Sequence, residues 1–337
     1  MKTILVVGGA GYIGSHASLY LVQRGYKVII LDNFLHDQIF NHKWAQIIRS
    51  DYADKIVLKD IFSANKIDAV MHFAACINVG ESTLNPLKYY ENNVSKTIVL
   101  LQAMMEHNVR KFIFSSSCAV YGDVGSDFIT EESPCNPISP YGRTKLMIEQ
   151  ILLDIKSKIN FVSLRYFNAA GALPEFGLGE WHKPETHLIP LLLKSLKNQN
   201  SGTFTIFGND YNTKDGTCIR DYLHVWDIAS AHHLALKYLN EEKPSDFFNL
   251  GSGRGYSVKQ IIEAAEFILQ VRAKINIDKR RPGDPAVLLA DPSKAKNFLN
   301  WRPEYSDLDL ILRSAYAFEN TSKIITDLSS INQFQKF

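Results

Sequence analysis

The chain of 337 residues is long enough to bury a sizeable core, either as one large domain or as two modest ones. Hydrophobic residues make up 46% of it and charged residues 21%, which is the balance of a globular protein and excludes a disordered chain. A formal net charge of +2 is too small to indicate nucleic acid or a membrane surface as a partner, and no apolar stretch reaches the length of a membrane span.

The first thirty residues carry a pattern that is typical of a dinucleotide-binding fold. Residues 4–7 are apolar and predict a buried strand, and the glycine-rich residues 8–14 that follow fit G-x-G-x-x-G from Gly9. A helical segment then stops at Gly25, and a second apolar strand ends in Asp32. Glycines here let the backbone approach a pyrophosphate at a helix N-terminus, while the acid binds a ribose 2′-hydroxyl. The pattern predicts NAD as cofactor, since Asp32 would repel the 2′-phosphate of NADP.

Strands and helical segments alternate through the rest of the first half. Further strands are predicted at residues 69–74, 111–115 and 161–165, with a weaker one at 46–50. Such alternation predicts an α/β fold with a Rossmann-type, doubly wound parallel sheet. Its active cleft is expected outside the carboxyl ends of the strands.

The composition changes after Asn168. Gly, Pro, Trp and His crowd residues 169–190 and indicate a long functional loop. A mixed region follows, in which residues 247–250 are apolar enough to return to the main sheet. We therefore predict an NAD-binding domain over residues 1–168, with returning segments near 225–250, and a smaller mixed α/β domain, mainly for substrate, over residues 169–337.

Tyr141 and Lys145 lie four positions apart in a segment that is predicted to be helical, since Pro140 suits a helix start and good helix formers follow. Residues at this spacing share a helix face, so the ammonium is expected to lower the pKa of the phenol toward neutrality. Such a phenol can act as a general base on a sugar or alcohol hydroxyl. The spacing alone leaves open a surface Tyr–Lys pair without a catalytic role.

Several short segments carry a more specific pattern, and they run in order from residue 4 to about residue 302. They are residues 8–15, 72–75, 80–82, 89–93, 114–117, 139–145, 164–168, 206–211, 220–225 and 281–284. Together they resemble the UDP-glucose 4-epimerases of the extended short-chain dehydrogenase/reductase superfamily. The resemblance implies an NAD-dependent isomerase that interconverts UDP-glucose and UDP-galactose through a transient 4-keto sugar.

The resemblance also implies roles for individual residues. Tyr141 would take the proton of the sugar 4-hydroxyl, Lys145 would lower its pKa and hold the nicotinamide ribose, and Ser117 would hydrogen-bond the reacting oxygen. Beyond these three, the implied cofactor contacts are Gly8, Gly11, Tyr12, Ile13, Gly14, Asp32, Asn33, Asp51, Tyr52, Phe73, Ala74, Ala75, Asn92 and Phe167. The implied substrate contacts are Asn168, His187, Leu188, Phe207, Arg220, Arg281, Asp284 and Leu288, with Ser117 and Tyr141.

Three positions depart from the most common pattern of this family. Ile77 stands where some members carry a lysine near the nicotinamide, and His187 stands where an asparagine is common. Leu288 replaces a bulky tyrosine that some members place beside the sugar 2-substituent. Because leucine is intermediate in size, a UDP-N-acetylglucosamine 4-epimerase or a dual-specific enzyme stays open.

The residues after Ser117 disfavour two related enzyme activities. Nucleotide-sugar dehydratases and, usually, UDP-glucuronate decarboxylases carry a carboxylate just after the position of Ser117, where this chain has Cys118 and Ala119. A non-catalytic NAD-binding sensor is the alternative from another class, although it would not need Tyr141 and Lys145 together with Ser117.

The cysteines and histidines show no sequence pattern of a disulfide framework or a metal site. The four cysteines show neither C-x-x-C spacing nor a disulfide framework, so we predict a reduced, cytoplasmic protein. The histidines at positions 182, 187, 224, 232 and 233 are interpreted as dispersed, without supporting carboxylates, and no metal is expected. Helical stretches near residues 86–106 and 140–156 resemble those that pair subunits in the family, which implies a homodimer.

Overall fold

The computed structural model of the protein describes residues 1–35, 44–125, 128–197, 202–281 and 284–327, with the backbone alone for 321–327. Pro282 and Gly283, within the matching segment 281–284, lie outside the described residues, as do the last ten residues of the predicted substrate domain.

Strands and helices alternate along the first half of the described chain, as predicted. The strands are β1 (Thr3–Val7), β2 (Lys27–Asp32), β3 (Gln46–Arg49), β4 (Ile67–His72), β5 (Lys111–Ser117), β6 (Asn160–Tyr166), β7 (Asn168–Ala170), β8 (Thr203–Phe207), β9 (Ile219–His224), β10 (Asp246–Leu250), β11 (Gly255–Ser257), β12 (Lys274–Asp278) and β13 (Val287–Leu288). The helices are α1 (Tyr12–Val22), α2 (Lys55–Ala64), α3 (Val79–Leu84), α4 (Pro86–Tyr89), α5 (Lys96–Glu106), α6 (Pro140–Asp154), α7 (Leu188–Lys197), α8 (Val225–Asn240), α9 (Val258–Leu269), α10 (Ser293–Phe298) and α11 (Leu308–Asp327).

A parallel sheet of seven strands forms the centre of the described fold, in the order β10-β6-β5-β4-β1-β2-β3. The strand order reverses between β1 and β4, which is the switch point where this class of sheet binds its ligands. The structure therefore confirms the predicted Rossmann-type fold. The return of β10 to this sheet also follows the sequence expectation.

Two strand ends differ from the prediction. The fourth strand ends at His72, because the backbone N–H groups of Phe73 and Ala74 both turn onto the carbonyl of Val7, at 2.8 and 3.2 Å. The fifth strand continues to Ser117, since its serines pair in register with residues of β6. Both ends deliver side chains to the same edge of the sheet.

Apolar side chains cover both faces of the sheet. On one face, α1 and α8 pack over β1, β6 and β10, around residues such as Val6, Leu236 and the fully buried Trp301. On the other face, α2, α5 and α6 pack over the same sheet, around Phe112 and Leu152. A parallel sheet needs this two-sided cover because its strands are apolar on both faces.

The second region packs against the carboxyl edge of the sheet. A separate apolar cluster joins α7, α9 and α11 to β8 and β9. Strand β9 pairs with β11, β13 and β7, and β8 pairs with β12. The division into two domains at residue 168 stays a prediction. Within the described ranges, no helix combines the length and the apolarity needed to cross a membrane.

Candidate active site

A cleft of about 460 Å³ opens at the carboxyl ends of the sheet strands, at the switch point. It is lined by residues that follow β1, β2, β4, β5 and β6 and by residues of the second region, among them Asp284 and Leu288. The cleft therefore lies where a doubly wound sheet places its ligands.

The glycine-rich loop forms one end of the cleft and requires glycine at two positions. Gly8 has φ +75°, and a Cβ there would lie 2.4 Å from the backbone nitrogen of Ala74. A Cβ on Gly14 would lie 2.2 Å from the carbonyl oxygen of Gly8. The backbone packs this tightly at the N-terminus of α1, so the loop offers the bare amide-lined cradle that a dinucleotide pyrophosphate needs.

Asp32 stands at the end of β2 beside this loop. Its carboxylate accepts hydrogen bonds from the backbone N–H of Ala10 at 3.0 Å and of Phe34 at 2.8 Å. The side chain thus fixes the loop and keeps a negative charge at the cleft wall. These residues fit the adenosine half of NAD. They disfavour a 2′-phosphate because the carboxylate would repel it.

Other predicted cofactor residues take more structural roles. The hydroxyl of Tyr12 donates to the carbonyl of Gly171 at 2.6 Å, so this side chain ties α1 to the second region. The hydroxyl of Tyr52 donates to the carbonyl of Asn92. Asp51 accepts from Lys96 Nζ at 2.5 Å and does not line the cleft.

Helix α6 begins where the sequence predicted it, and its first turn presents Tyr141 to the cleft. Ser139 caps the helix, with Oγ accepting from the backbone N–H of Gly142 at 3.1 Å, and Pro140 occupies the first helical position. Lys145 follows one turn later and is 2% exposed. Its Nζ lies 5.8 Å from the centre of the Tyr141 ring and 5.0 Å from that of Phe114.

The predicted lowering of the phenol pKa is wrong for this arrangement of side chains. Burial raises the pKa of Tyr141 to about 12, and a hydrogen bond with Ser117 offsets only part of that rise. Burial also lowers the pKa of Lys145 to about 7, so the lysine is fully protonated only below neutral pH. The sequence argument counted the neighbouring charge but not the desolvation of both groups, which is the larger effect here.

A group of hydroxyls surrounds the phenol. Ser117 Oγ accepts from the backbone N–H of Ala119 at 3.2 Å, which holds the serine at the end of β5 beside Tyr141. Ser115, two residues earlier, shares a short hydrogen bond with the hydroxyl of Tyr166. Tyr166 lines the cleft, and sequence reasoning missed it although it lies within the matching segment 164–168.

The opposite end of the cleft carries the predicted substrate residues. Arg220 donates to the carboxylate of Asp284 and, at 2.8 Å, to the carbonyl of Pro285, so two predicted ligands are paired with each other. The guanidinium of Arg281 lies 4.2 Å from the ring centre of Phe207. Neither Arg281 nor Phe207 lines the cleft, whereas Arg220 and Asp284 do.

Two of the histidines that were interpreted as dispersed lie together with two carboxylates, which corrects that interpretation. One candidate ligand atom from each of Glu180, His182, Glu185 and His187 falls within 4.8 Å of the others. Burial lowers the pKa of His187, but the nearby carboxylates of Glu180 and Glu185 outweigh it and raise that pKa to about 9. The loop conformation that brings these residues together is not visible in their spacing.

Apart from Asp51, Phe207 and Arg281, every predicted site residue lines the one cleft. The side chains that reasoning from the sequence missed are chiefly Tyr166, Glu180 and His182. The cleft thus combines a dinucleotide cradle, a Tyr–Lys–Ser group and a buried arginine. That set can bind a dinucleotide beside a phosphorylated substrate and move a proton at a hydroxyl.

Comparison with known proteins shows the family and the fold of this chain. The sequence model of the NAD dependent epimerase/dehydratase family matches residues 4–251. A UDP-glucose 4-epimerase of Lactobacillus helveticus is 46% identical over 322 residues, which cover 94% of this chain and 97% of the relative. The crystal structure of UDP-glucose 4-epimerase from Brucella ovis in complex with NAD is 42% identical with a TM-score of 0.89, over 94% of this chain and 98% of that one. The UDP-Glc/GlcNAc 4-epimerase from Campylobacter jejuni is 42% identical with a TM-score of 0.81, over 95% and 99% of the two chains.

Proposed function

The chain belongs to the NAD dependent epimerase/dehydratase family, and from this premise we propose that it interconverts UDP-glucose and UDP-galactose by inverting C4 of the hexose. The observation that carries the proposal is that Tyr141, Lys145 and Ser117 line one cleft together with the glycine-rich loop and Arg220. A non-catalytic NAD sensor would need the loop but not the groups that move a proton.

NAD is the cofactor, and when bound it supplies the redox chemistry by taking a hydride from the sugar C4 and giving it back to the opposite face. The protein supplies position and proton transfer. The loop of Gly8 to Gly14 and the carboxylate of Asp32 would hold the adenosine diphosphate half of NAD. Lys145 would hold the nicotinamide ribose.

Tyr141 removes the proton of the 4-hydroxyl while C4 is oxidised, and it returns that proton when C4 is reduced. Ser117 lies beside Tyr141 and partly offsets the rise of its pKa, and we propose that its hydroxyl hydrogen-bonds to the reacting oxygen of the sugar. With a pKa of about 12, the phenol keeps its own proton near neutral pH, and it can act as the base only when positive charge close to it lowers that pKa. Lys145 is held one helix turn away and carries part of that charge.

The buried arginine recognises the diphosphate end of the sugar nucleotide. Arg220 is 7% exposed and lines the cleft, with its guanidinium held by Asp284 and by the carbonyl of Pro285. A guanidinium that is fixed in this way keeps its permanent charge and can direct its remaining donors at phosphate oxygens. Arg281, which does not line the cleft, is proposed as a second residue that contacts the diphosphate.

Leu288 sets how much room the 2-substituent of the hexose has. It lines the cleft from β13, and leucine leaves more space than the tyrosine that some members of the family carry there. The similarity to a UDP-Glc/GlcNAc 4-epimerase favours acceptance of N-acetylated sugars as a second candidate activity.

One experiment tests these statements together. The purified chain is incubated without added NAD, with UDP-galactose and separately with UDP-N-acetylgalactosamine, and the products are followed by proton NMR. Conversion of the first alone supports the narrow function, and conversion of both supports dual specificity. Failure with both sugars after NAD is supplied, although NAD binds tightly, would favour the sensor instead.

The proposed oligomer is a homodimer built on α3 to α6. Large apolar side chains are exposed along these helices: Leu84 (81%), Leu87 (80%), Met147 (40%) and Ile98 (37%). Burying such a face against a second copy would remove apolar surface from water. Sedimentation should give a dimer at micromolar concentration, and a monomer would count against this proposal.

The four free cysteines are compatible with the proposed location in the reducing cytoplasm.

A further inference from the structure

Beyond the proposed reaction, we infer that Glu180, His182, Glu185 and His187 bind one divalent transition-metal ion with the preference of zinc. These residues lie in the segment between the 3₁₀ turn Pro174–Phe176 and helix α7. The segment borders the substrate end of the cleft, which Glu180, His182 and His187 line.

Two distances within the group suit a tetrahedral ion, whereas Nδ1 of His187 is hydrogen-bonded directly to Glu180 Oε1, so His187 has to bind the ion through Nε2 or move away from Glu180. His182 Nδ1 lies 3.5 Å from Glu180 Oε1 and 3.6 Å from Glu185 Oε2. Ligand atoms that are each about 2.0–2.2 Å from a tetrahedral zinc ion are roughly 3.3–3.6 Å from one another. The widest pair in the group, at up to 4.8 Å, has to close by roughly an ångström for the fourth bond to form.

Two atoms of the group are buried without a hydrogen-bond partner. The side chain of Glu185 is 5% exposed, and its Oε2 has no partner among the described residues. Nδ1 of His182 is in the same state, although it faces two carboxylates at distances beyond a hydrogen bond. A buried carboxylate oxygen without a donor is costly and rare, and an ion between Oε2 and Nδ1 satisfies both atoms at once.

The donor set selects the class of metal. Two imidazole nitrogens and two carboxylate oxygens match the ligands that zinc takes in four-coordinate sites. Calcium and magnesium prefer six or more oxygen ligands, which these four side chains do not supply. Two carboxylates also neutralise a divalent charge, once the ion has displaced the proton that His187 holds with its pKa of about 9.

The position of the group assigns the ion a structural role. Glu180 and His187 stand at the two ends of an eight-residue segment, and Leu188 directly after it begins α7. An ion bound by all four side chains fastens both ends of the segment together. It would therefore hold the wall of the cleft at the substrate end rather than contact the reacting carbon.

Metal binding can be measured without reference to turnover. The full chain is treated with a chelator, dialysed, and titrated with Co²⁺ as a spectroscopic substitute for zinc, while bound zinc is counted by mass spectrometry on a parallel sample. We expect one equivalent of metal and the intense visible absorption of tetrahedral cobalt. Absence of that absorption, or a substoichiometric metal content, would overturn the inference.

Matched variants locate the site. Glu185→Gln removes one charge but keeps the oxygen that accepts from the N–H groups of Thr186 and His187, at 2.7 and 2.9 Å. We expect this variant and His182→Asn to bind Co²⁺ at least ~10-fold more weakly than the parent chain. Glu175→Gln, an exposed carboxylate near the segment, should bind as the parent does.

The outcomes separate cleanly. Equal binding by Glu185→Gln and the parent chain, or equal loss in the Glu175→Gln control, would place the ion elsewhere and overturn the inference. Should His182→Asn fail to fold by circular dichroism, the Glu185→Gln variant and the cobalt spectrum of the parent still decide. If the parent chain epimerises the sugar but binds no Co²⁺, only this inference is refuted. If it binds Co²⁺ but does not epimerise the sugar, only the proposed function is refuted.

Discussion

The ammonium of Lys145 donates a hydrogen bond to the backbone carbonyl of Ser115 at 2.8 Å, while the centre of the Tyr141 ring lies 5.8 Å from the same nitrogen. The lysine thus connects α6 to the end of β5 as well as facing the phenol. Its nitrogen is buried, and burial lowers its pKa to about 7. An ammonium that is buried at such a cost should weaken the fold, and the cost should depend on pH.

Lys145→Met should raise stability most at neutral and lower pH. Below about pH 7 the lysine is protonated in both the folded and the unfolded chain, so the whole penalty for its burial applies. Between pH 7 and the ordinary lysine pKa the unfolded chain binds more protons, so the parent gains stability as pH rises. The difference in melting temperature between variant and parent should therefore shrink by roughly 5 °C from pH 6.5 to 9.5.

The control for this prediction is Lys158→Met, which removes an exposed lysine beyond the end of α6. Its melting temperature should differ from that of the parent by an amount that does not change with pH. A constant difference for Lys145→Met as well would mean that Lys145 is not desolvated in the folded protein.

Tyr141→Phe should reduce turnover of UDP-galactose by ~10²–10⁴-fold, since the variant keeps the ring but cannot accept the proton. The fold and the bound NAD should persist, which circular dichroism and NAD content can check. Tyr305→Phe is the matched control, because Tyr305 is 44% exposed and does not line the cleft. Turnover within a factor of two of the parent for Tyr141→Phe would remove the residue from the reaction.

The sheet and most of the cleft could be predicted because their signals are local. The turn at Gly8 to Gly14, the acid at the end of β2 and the helix start at Pro140 each depend on residues close in sequence. The pKa of Tyr141 could not be predicted in the same way, since it depends on how much protein surrounds the phenol. The pairing of Arg220 with Asp284 likewise arises only when β9 and β13 lie side by side.

The group at Glu180 shows the same limit more sharply. Its members are two, three and two positions apart in a loop, which matches no helix or strand period. Only the folded path of the loop brings both carboxylates to both histidines. Sequence spacing therefore identified the side chains that lie on strands and helices or at their ends. It missed the four side chains at Glu180, His182, Glu185 and His187 because they lie in an irregular loop.

Gly14→Ala should lose most of the bound NAD and lower the melting temperature. The new methyl group would lie 2.2 Å from the carbonyl of Gly8 and 2.9 Å from Cα of Gly9, so the backbone of the loop has to move. NAD content after purification and thermal unfolding are the measurements. Gly80→Ala is the control: a Cβ there meets its nearest atom at 3.4 Å, within helix α3, so NAD content should not change.

Glu149→Ala should destabilise the fold by about 3–5 kcal/mol, because it leaves the guanidinium of Arg165 buried without its counter-ion. The two side chains are 1% and 6% exposed and joined by several hydrogen bonds, one of 2.7 Å, between α6 and β6. Urea unfolding gives the difference. Glu132→Ala, at an exposed carboxylate, should stay within about 0.5 kcal/mol of the parent.

A double variant refines this prediction. Glu149→Leu combined with Arg165→Met removes both charges, so it should recover most of the lost stability if the penalty comes from an unpaired buried charge. A double variant as unstable as the single one would show instead that the hydrogen bond from Arg165 to Tyr121, at 2.9 Å, matters more than the ion pair.

Leu288→Tyr should narrow the sugar specificity. The larger ring would extend into the cleft from β13 beside the position proposed for the 2-substituent, so an N-acetyl group would clash while a hydroxyl would still fit. We expect kcat/KM for UDP-N-acetylgalactosamine to fall by at least ~10-fold relative to that for UDP-galactose, the size of effect that steric exclusion from a pocket gives. Leu288→Ala should shift the same ratio the other way. Because both sugars are measured on the same protein, a general loss of activity would leave the ratio unchanged, and an unchanged ratio in both variants would mean that Leu288 does not contact the 2-substituent.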